Sequence, residues 1–218
     1  MCGRYSLGEF SEIQLRFLLD GLSMAVPKRF NIAPSELAPV VLRNSPNRLE
    51  MMVWGVLPTW AKEKPSGRLL INARAETVAE ARTFARAFRT RRVLVPASGW
   101  YEWKATPTGK QPYYFRRKDK ELMGFAGLAL EGAEGPGFVI ITTAASPLAS
   151  LVHNRMPAVL HPDDEDSWLD PANSDSASLL PLLRPFDDEL LTCYPVSRMV
   201  NRAGIDDPRM VEPISTAS

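Results

Sequence analysis

Residues Arg92-Val93-Leu94-Val95-Pro96-Ala97-Ser98-Gly99-Trp100-Tyr101-Glu102-Trp103-Lys104 hold two short apolar runs broken at Ser98-Gly99. Such runs, rich in β-branched and aromatic residues and bounded by turn formers, read as strands. In the second run a pleated backbone sends Trp100 and Glu102 to one face and Tyr101 and Trp103 to the other. Comparable runs follow at 112–117, 122–130 and 137–143, separated by turn-like Thr106–Lys110 and Gly132–Gly137, and others precede at 38–43 and 49–57. Helical spacing is confined to short stretches. Phe10, Ile13, Phe17 and Leu18 predict a helix over 9–22. A second is expected over 75–88, with Arg82, Arg86 and Arg89 on one face and Phe84 and Phe88 on the other. Further short helices are expected at 164–170 and 176–183, and the tail from 195 reads as an ordered loop. Many short strands with few helices predict an α+β class: a single domain with a curved, pseudo-barrel mixed β-sheet core and flanking short helices.

Working outward, 218 residues suffice for one domain or two small ones, and no internal boundary or repeat is visible. Hydrophobic residues at 45% and charged residues at 23% exclude wholesale disorder. No apolar run approaches the roughly 20 residues of a bilayer span, so no membrane partner is expected. The start, Met1-Cys2-Gly3-Arg4-Tyr5-Ser6, has no basic segment leading into an apolar one, so a cytoplasmic protein without a secretory signal is expected. Two cysteines, Cys2 and Cys193, exclude a disulfide framework, and Cys193 is expected to be a buried structural thiol. The formal charge of +1 conceals an asymmetry. Residues 61–92 carry nine Lys/Arg against three Glu, whereas 161–191 carry nine Asp/Glu against one Arg. The basic stretch suits a polyanion, although both stretches also read as solvated faces.

Four residues could carry chemistry. Cys2 has a side chain small enough to permit loss of Met1. A cysteine left at the terminus offers an α-amine, with a reference pKa of about 7.7–8.0, beside a thiol. That pair condenses with an aldehyde to an imine and then a thiazolidine, or the thiol acts in acyl transfer with the amine as base. Glu102, set among aromatics, is a carboxyl whose desolvation would raise its pKa and suit it to proton transfer. His153, in His153-Asn154-Arg155-Met156-Pro157, is a proton carrier near neutral pH; His161 reads as a loop residue outside the site. Asn72 and Arg74, two apart in an extended segment, point the same way and suit a sugar or carbonyl oxygen and a phosphate. Trp60 and Pro34 supply flat apolar surfaces on which bases stack. Each also has a bland reading: a frayed terminus, a surface carboxylate, a structural histidine, core aromatics. No Gly-rich phosphate loop and no metal-ligand cluster appears, so neither a metal nor a cofactor is expected.

Taken in order, Met1-Cys2-Gly3-Arg4-Tyr5, Asn31-Ile32-Ala33-Pro34, Trp54-Gly55, Asn72-Ala73-Arg74-Ala75-Glu76, Gly99-Trp100-Tyr101-Glu102-Trp103, His153-Asn154-Arg155-Met156-Pro157 and Val196-Ser197 resemble the SOS response-associated peptidase (SRAP) family, the abasic-site processing proteins. The resemblance runs from residue 2 to about 213. It implies a single pseudo-barrel domain, acting as a monomer, that binds single-stranded DNA containing an abasic site. It implies that Cys2, freed of Met1 by a peptidase-like step, forms a thiazolidine crosslink with the ring-opened sugar, with weak lyase activity through the same imine. On this resemblance Asn72 orients the sugar and Glu102 and His153 move protons. Arg4, Arg74 and Arg155 bind phosphates, and Pro34 and Trp60 stack beside the lesion. Asn154 stands where the family has Asp.

Two other classes stay open on the residues themselves. An N-terminal-nucleophile amidohydrolase also begins Cys-Gly, but an apolar strand would follow, and Arg4-Tyr5-Ser6 is polar. A non-catalytic single-strand binder would show salt-sensitive binding without a covalent product.

Overall fold

The apolar runs fold as strands, described in a computed structural model over residues 2–8, 10–17, 19, 26–43, 47–59 and 69–214. In chain order the first elements are β1 (Tyr5–Leu7), α1 (Phe10–Arg16), β2 (Arg29–Ile32), β3 (Leu37–Leu42), β4 (Arg48–Trp54) and β5 (Asn72–Arg74). Then come α2 (Ala85–Thr90), β6 (Arg92–Ala97), β7 (Gly99–Thr106), β8 (Gly109–Arg117), β9 (Met123–Gly132) and β10 (Gly135–Ala144). The rest are α3 (Pro147–Ser150), β11 (Arg155–Pro157), β12 (Val159–Leu160), α4 (Pro162–Leu169), α5 (Ser176–Leu179) and β13 (Leu191–Pro195).

One sheet is antiparallel and runs β13-β8-β7-β1-β2. The other runs β11-β10-β4-β3-β6-β9-β12, with β5 added to β10. It is mixed, because β4 and β5 both lie parallel to β10. A further pairing of β9 with β10 curls this sheet partly into a ring, which is not a closed barrel. The curved α+β sheet expected from the sequence is therefore what forms. Gly109 and Gly135 turn the two long hairpins at φ +111° and +112°, a region that side chains disfavour. One core takes side chains from both sheets, Tyr5, Trp100 and Phe115 from the first and Trp54, Phe125 and Phe138 from the second. Cross-strand register sets Tyr5 opposite Trp100 and Trp100 opposite Phe115, and the last two rings stack at 4.8 Å. Such pairs add about 0.5–1.5 kcal/mol beyond the area they bury. Tyr101 and Trp103 go the other way, into a smaller cluster with Tyr114, Val196 and Met210.

Three expectations are corrected. The helix read over 75–88 is mostly turns, and α2 begins only at Ala85. The reason is β5: Ala75 still donates to the Thr142 carbonyl (2.9 Å), which anchors the chain to β10 after the strand ends. Arg82, Arg86 and Arg89 are nonetheless exposed while Phe88 is buried. Arg92, counted with the basic stretch, is 6% exposed and points inward, so its charge cannot serve a polyanion there. Cys193, expected buried, is half-buried in β13. Short strands β1, β2, β5, β11 and β12, which the apolar pattern does not announce, complete the sheets. No helix among the described residues is long and apolar enough to cross a membrane.

Candidate active site

Cys2 lies in the lead-in to β1 and is fully buried. Its thiol faces the Arg4 carbonyl at 3.9 Å. Asn72 opens β5, whose parallel register on β10 pairs it with Ile140. The indole N–H of buried Trp54 donates to the preceding carbonyl, that of Ile71, at 3.0 Å. So held, Asn72 donates its Nδ2 to the Cys2 carbonyl at 2.9 Å. Its Oδ1 is buried and meets no acceptor-seeking group among the described residues.

Glu102 stands on β7, 3% exposed, on the same face as Trp100. Burial pushes its carboxyl above the ordinary range. Burial also pushes the Cys2 thiol up, and the Glu102 charge pushes it further. The thiol therefore stays protonated until a base removes its proton. His153 lies between α3 and β11, its amide bonded to the Ala149 carbonyl (3.0 Å). Its Nδ1 accepts from the Arg155 amide at 3.0 Å, which leaves the proton of a neutral ring on Nε2.

The arginines divide. Arg4 is half-buried and donates to Asn31 Oδ1 (3.0 Å) and the Val200 carbonyl (3.4 Å). Arg155 is engaged by Glu76, with one oxygen at 2.9 Å, and by the Thr142 carbonyl at 2.5 Å. Its guanidinium holds the Glu76 carboxyl below the usual range, with a smaller contribution from Arg74. Arg74 itself is exposed at the end of β5. Pro34 is half-buried in the turn before β3, where Ser35 takes φ 73° and donates to the Trp54 carbonyl (2.8 Å). Trp60 lies outside the described residues. The structure thus joins Cys2, Asn72, Glu102 and His153 by contact or field, while Pro34 and Arg74 stand at its margin.

Two residues of this neighbourhood carry more than their motifs suggested. Asn31, 1% exposed, accepts from Arg4 and donates to the carbonyls of Arg202 (3.1 Å) and Ile205 (2.8 Å). It ties the lead-in strand to the C-terminal segment. Glu76 is paired with Arg155 and feels the charge of Arg74. Both lie inside stretches already singled out, but their roles rest on partners that local sequence does not show. Among the described residues no group of His, Cys, Asp and Glu could hold a metal ion.

Fold and geometry together define a class: mixed α+β proteins with a buried cysteine at position 2, set against an asparagine, a carboxyl and an imidazole. The family model of SOS response associated peptidase (SRAP) matches residues 1–203. The abasic site processing protein YoqW of Bacillus subtilis (strain 168) is 36% identical over 225 residues, covering 97% of this chain and 99% of the relative. The abasic site processing protein YedK of Escherichia coli (strain K12) is 29% identical over 226 residues, covering 98% of this chain and 100% of the relative. A crystal structure of a protein from Bacteroides thetaiotaomicron shares the fold, with a TM-score of 0.85 at 24% identity over 98% of this chain and 100% of that one. The chain belongs to the SRAP family.

Proposed function

We propose that the chain processes abasic sites in single-stranded DNA, with Cys2 as the covalent trap once Met1 is gone. Relatives named for abasic site processing support the general reading. The observation that carries the chemistry is the Asn72 bond to the Cys2 carbonyl at 2.9 Å, next to a buried carboxyl and an imidazole. The whole chain, 1–218, is read as one domain with its core over about 2–213, in keeping with the core shared by both sheets.

Hydrolysis of the Met1–Cys2 peptide bond releases methionine and leaves an α-amine on Cys2; this is the peptidase-like step in the reading. Cys2 is buried, so its surroundings open when the terminus is trimmed. His153 helps to open the sugar hemiacetal by moving its hydroxyl proton. The amine lone pair attacks the aldehyde carbon, giving a carbinolamine. Glu102 as the acid protonates the departing hydroxyl, giving water, a protonated imine and the Glu102 carboxylate. The sulfur then adds to the imine carbon while that carboxylate takes the thiol proton, closing the thiazolidine and restoring the carboxyl. Proton loss from the neighbouring sugar carbon of the same imine gives β-elimination, the lyase side reaction. Arg4, Arg74 and Arg155 are read as holding flanking phosphates, with Arg155 exchanging Glu76 for the strand. Pro34 and Trp60 are read as supports for the neighbouring bases.

The test is a denaturing gel after incubation with a single-stranded oligonucleotide bearing one abasic site, the protein's terminus first verified as Cys2 by mass spectrometry. A shifted band, lost in Cys2→Ala, is expected. Cys2→Ser keeps an amine and so should give a band only after borohydride trapping of the imine. A verified terminus with no covalent product overturns the proposal. Glutaminase activity in its place points to an amidohydrolase, and salt-sensitive native binding to a plain single-strand binder.

A further inference from the structure

On the far side of β1 from Cys2 lies a second pocket, about 200 Å³ in volume, between β1, β2 and β8. Tyr5 and Leu7 enter the main core, whereas Ser6 between them turns outward to bond the Tyr114 hydroxyl at 2.7 Å. Both residues are 2% exposed. Their mutual bond uses one of two O–H protons, so one buried donor has no acceptor among the described residues. Arg116 lines the same pocket, and its Nε is also buried without an acceptor among them. Its guanidinium lies 5.8 Å over the Tyr194 ring, a contact that uses none of its N–H groups. Lys28, Lys120 and Glu12 also line it, and Lys28 and Glu12 each already have a partner. Two buried donors short of an acceptor among the described residues, beside the cations of Arg116 and Lys120, are complementary to a group made only of acceptors.

We propose that this pocket binds a phosphate group. Donors approach from the hydroxyl pair, Arg116 and Lys120, which suits the several oxygens of a phosphate dianion better than the two of a carboxylate. The volume is below the roughly 300 Å³ at which small-molecule pockets begin, so the phosphate enters and the remainder of the molecule stays outside. Its source is either a free phosphomonoester or the terminal phosphate of a nucleic-acid strand. The site does not rest on the abasic-site reading, because it lies on the opposite face of β1.

Three probes separate the sources in a calorimetric titration: inorganic phosphate, 2′-deoxyadenosine 5′-monophosphate, and an oligonucleotide with or without a 5′-phosphate. Saturable binding is expected for at least one phosphate-bearing probe. Arg116→Gln should weaken it by about tenfold or more, and Glu12→Gln should tighten it. Binding of the first two probes assigns a free phosphomonoester, and a preference confined to the 5′-phosphorylated strand assigns nucleic acid. Arg116→Gln should leave the yield of abasic-site crosslink unchanged. Lys120→Gln, on an exposed turn, serves as the second variant if Arg116→Gln fails to fold. No saturable binding of any probe up to about 10 mM, or binding indifferent to Arg116→Gln and Lys120→Gln, overturns the proposal.

Discussion

Asn72 shows how much one side chain can depend on its surroundings. Its amide reaches Cys2 because β5 is fixed by β10 and by the Trp54 indole. Removing it in Asn72→Ala costs one partly buried hydrogen bond, about 1–1.5 kcal/mol. If that bond orients the reacting residue, crosslinking slows roughly tenfold, measured from single-turnover gels. Glu102→Gln tests the carboxyl: borohydride-trappable imine should accumulate relative to thiazolidine. In the native chain closure needs the carboxylate, so it should fall off as pH drops through a value above the ordinary carboxylate range, because burial raises that carboxyl. The glutamine variant should lack this limb. Asn72, Glu102 and His153 were legible as chemistry-bearing types at telling positions. Asn31 and Glu76 were not, because their importance lies in the carbonyls and guanidinium they meet.

At the scale of elements, Arg92 organises more structure than any helix does. Its five N–H donors all go to main-chain carbonyls: Phe88, Arg89, Trp168, Asp170 and Asn173, at 2.6–2.8 Å. The first four are carbonyls at the C-terminal ends of α2 and α4, where helices leave acceptors unsatisfied and favour a cation, and that of Asn173 lies in the turn beyond α4. Arg92→Met should destabilise the fold by about 3 kcal/mol or more, since buried acceptors lose their donors. Arg92→Lys, with three donors, should lose less; urea unfolding monitored by circular dichroism ranks the two. The strand pattern placed this arginine in β6 correctly and could not show its inward role. The same distance between pattern and outcome appears at 75–84, where helical spacing is real but the pull of β10 on Ala75 delays the helix.

Across the whole molecule, part of the acidic segment's charge is taken up by ion pairs outside the basic stretch. Glu165 docks on Arg16 (2.7 Å) and Asp166 on Arg43 (2.5 Å), both far away in sequence, while Asp164 pairs with Arg184 (2.9 Å) within the segment itself. The Arg16–Glu165 pair is two-pronged and joins α1 to α4. Arg16→Met should cost about 3 kcal/mol by leaving a buried carboxylate unpaired, and Arg16→Met with Glu165→Met should recover most of it. Burial pushes the Glu165 carboxyl up, and Arg16 opposes that. In the single variant the folded carboxyl then holds its proton well above the unfolded value. Its stability is therefore retained below the unfolded pKa and lost as pH rises through the folded one, which thermal melts across mildly acidic pH would show. By itself the sequence determined the α+β class, most strands of the curved sheet and the residue types of the site, because alternation, turn formers and reactive groups are local properties. Only the tertiary structure decided which polar groups meet: Asn72 with Cys2, Asn31 with Arg4, Arg92 with two helix ends. Apart from the α2 carbonyls three and four residues from Arg92, those partners lie tens of residues apart, and parallel pairing, burial and field have no trace in local spacing.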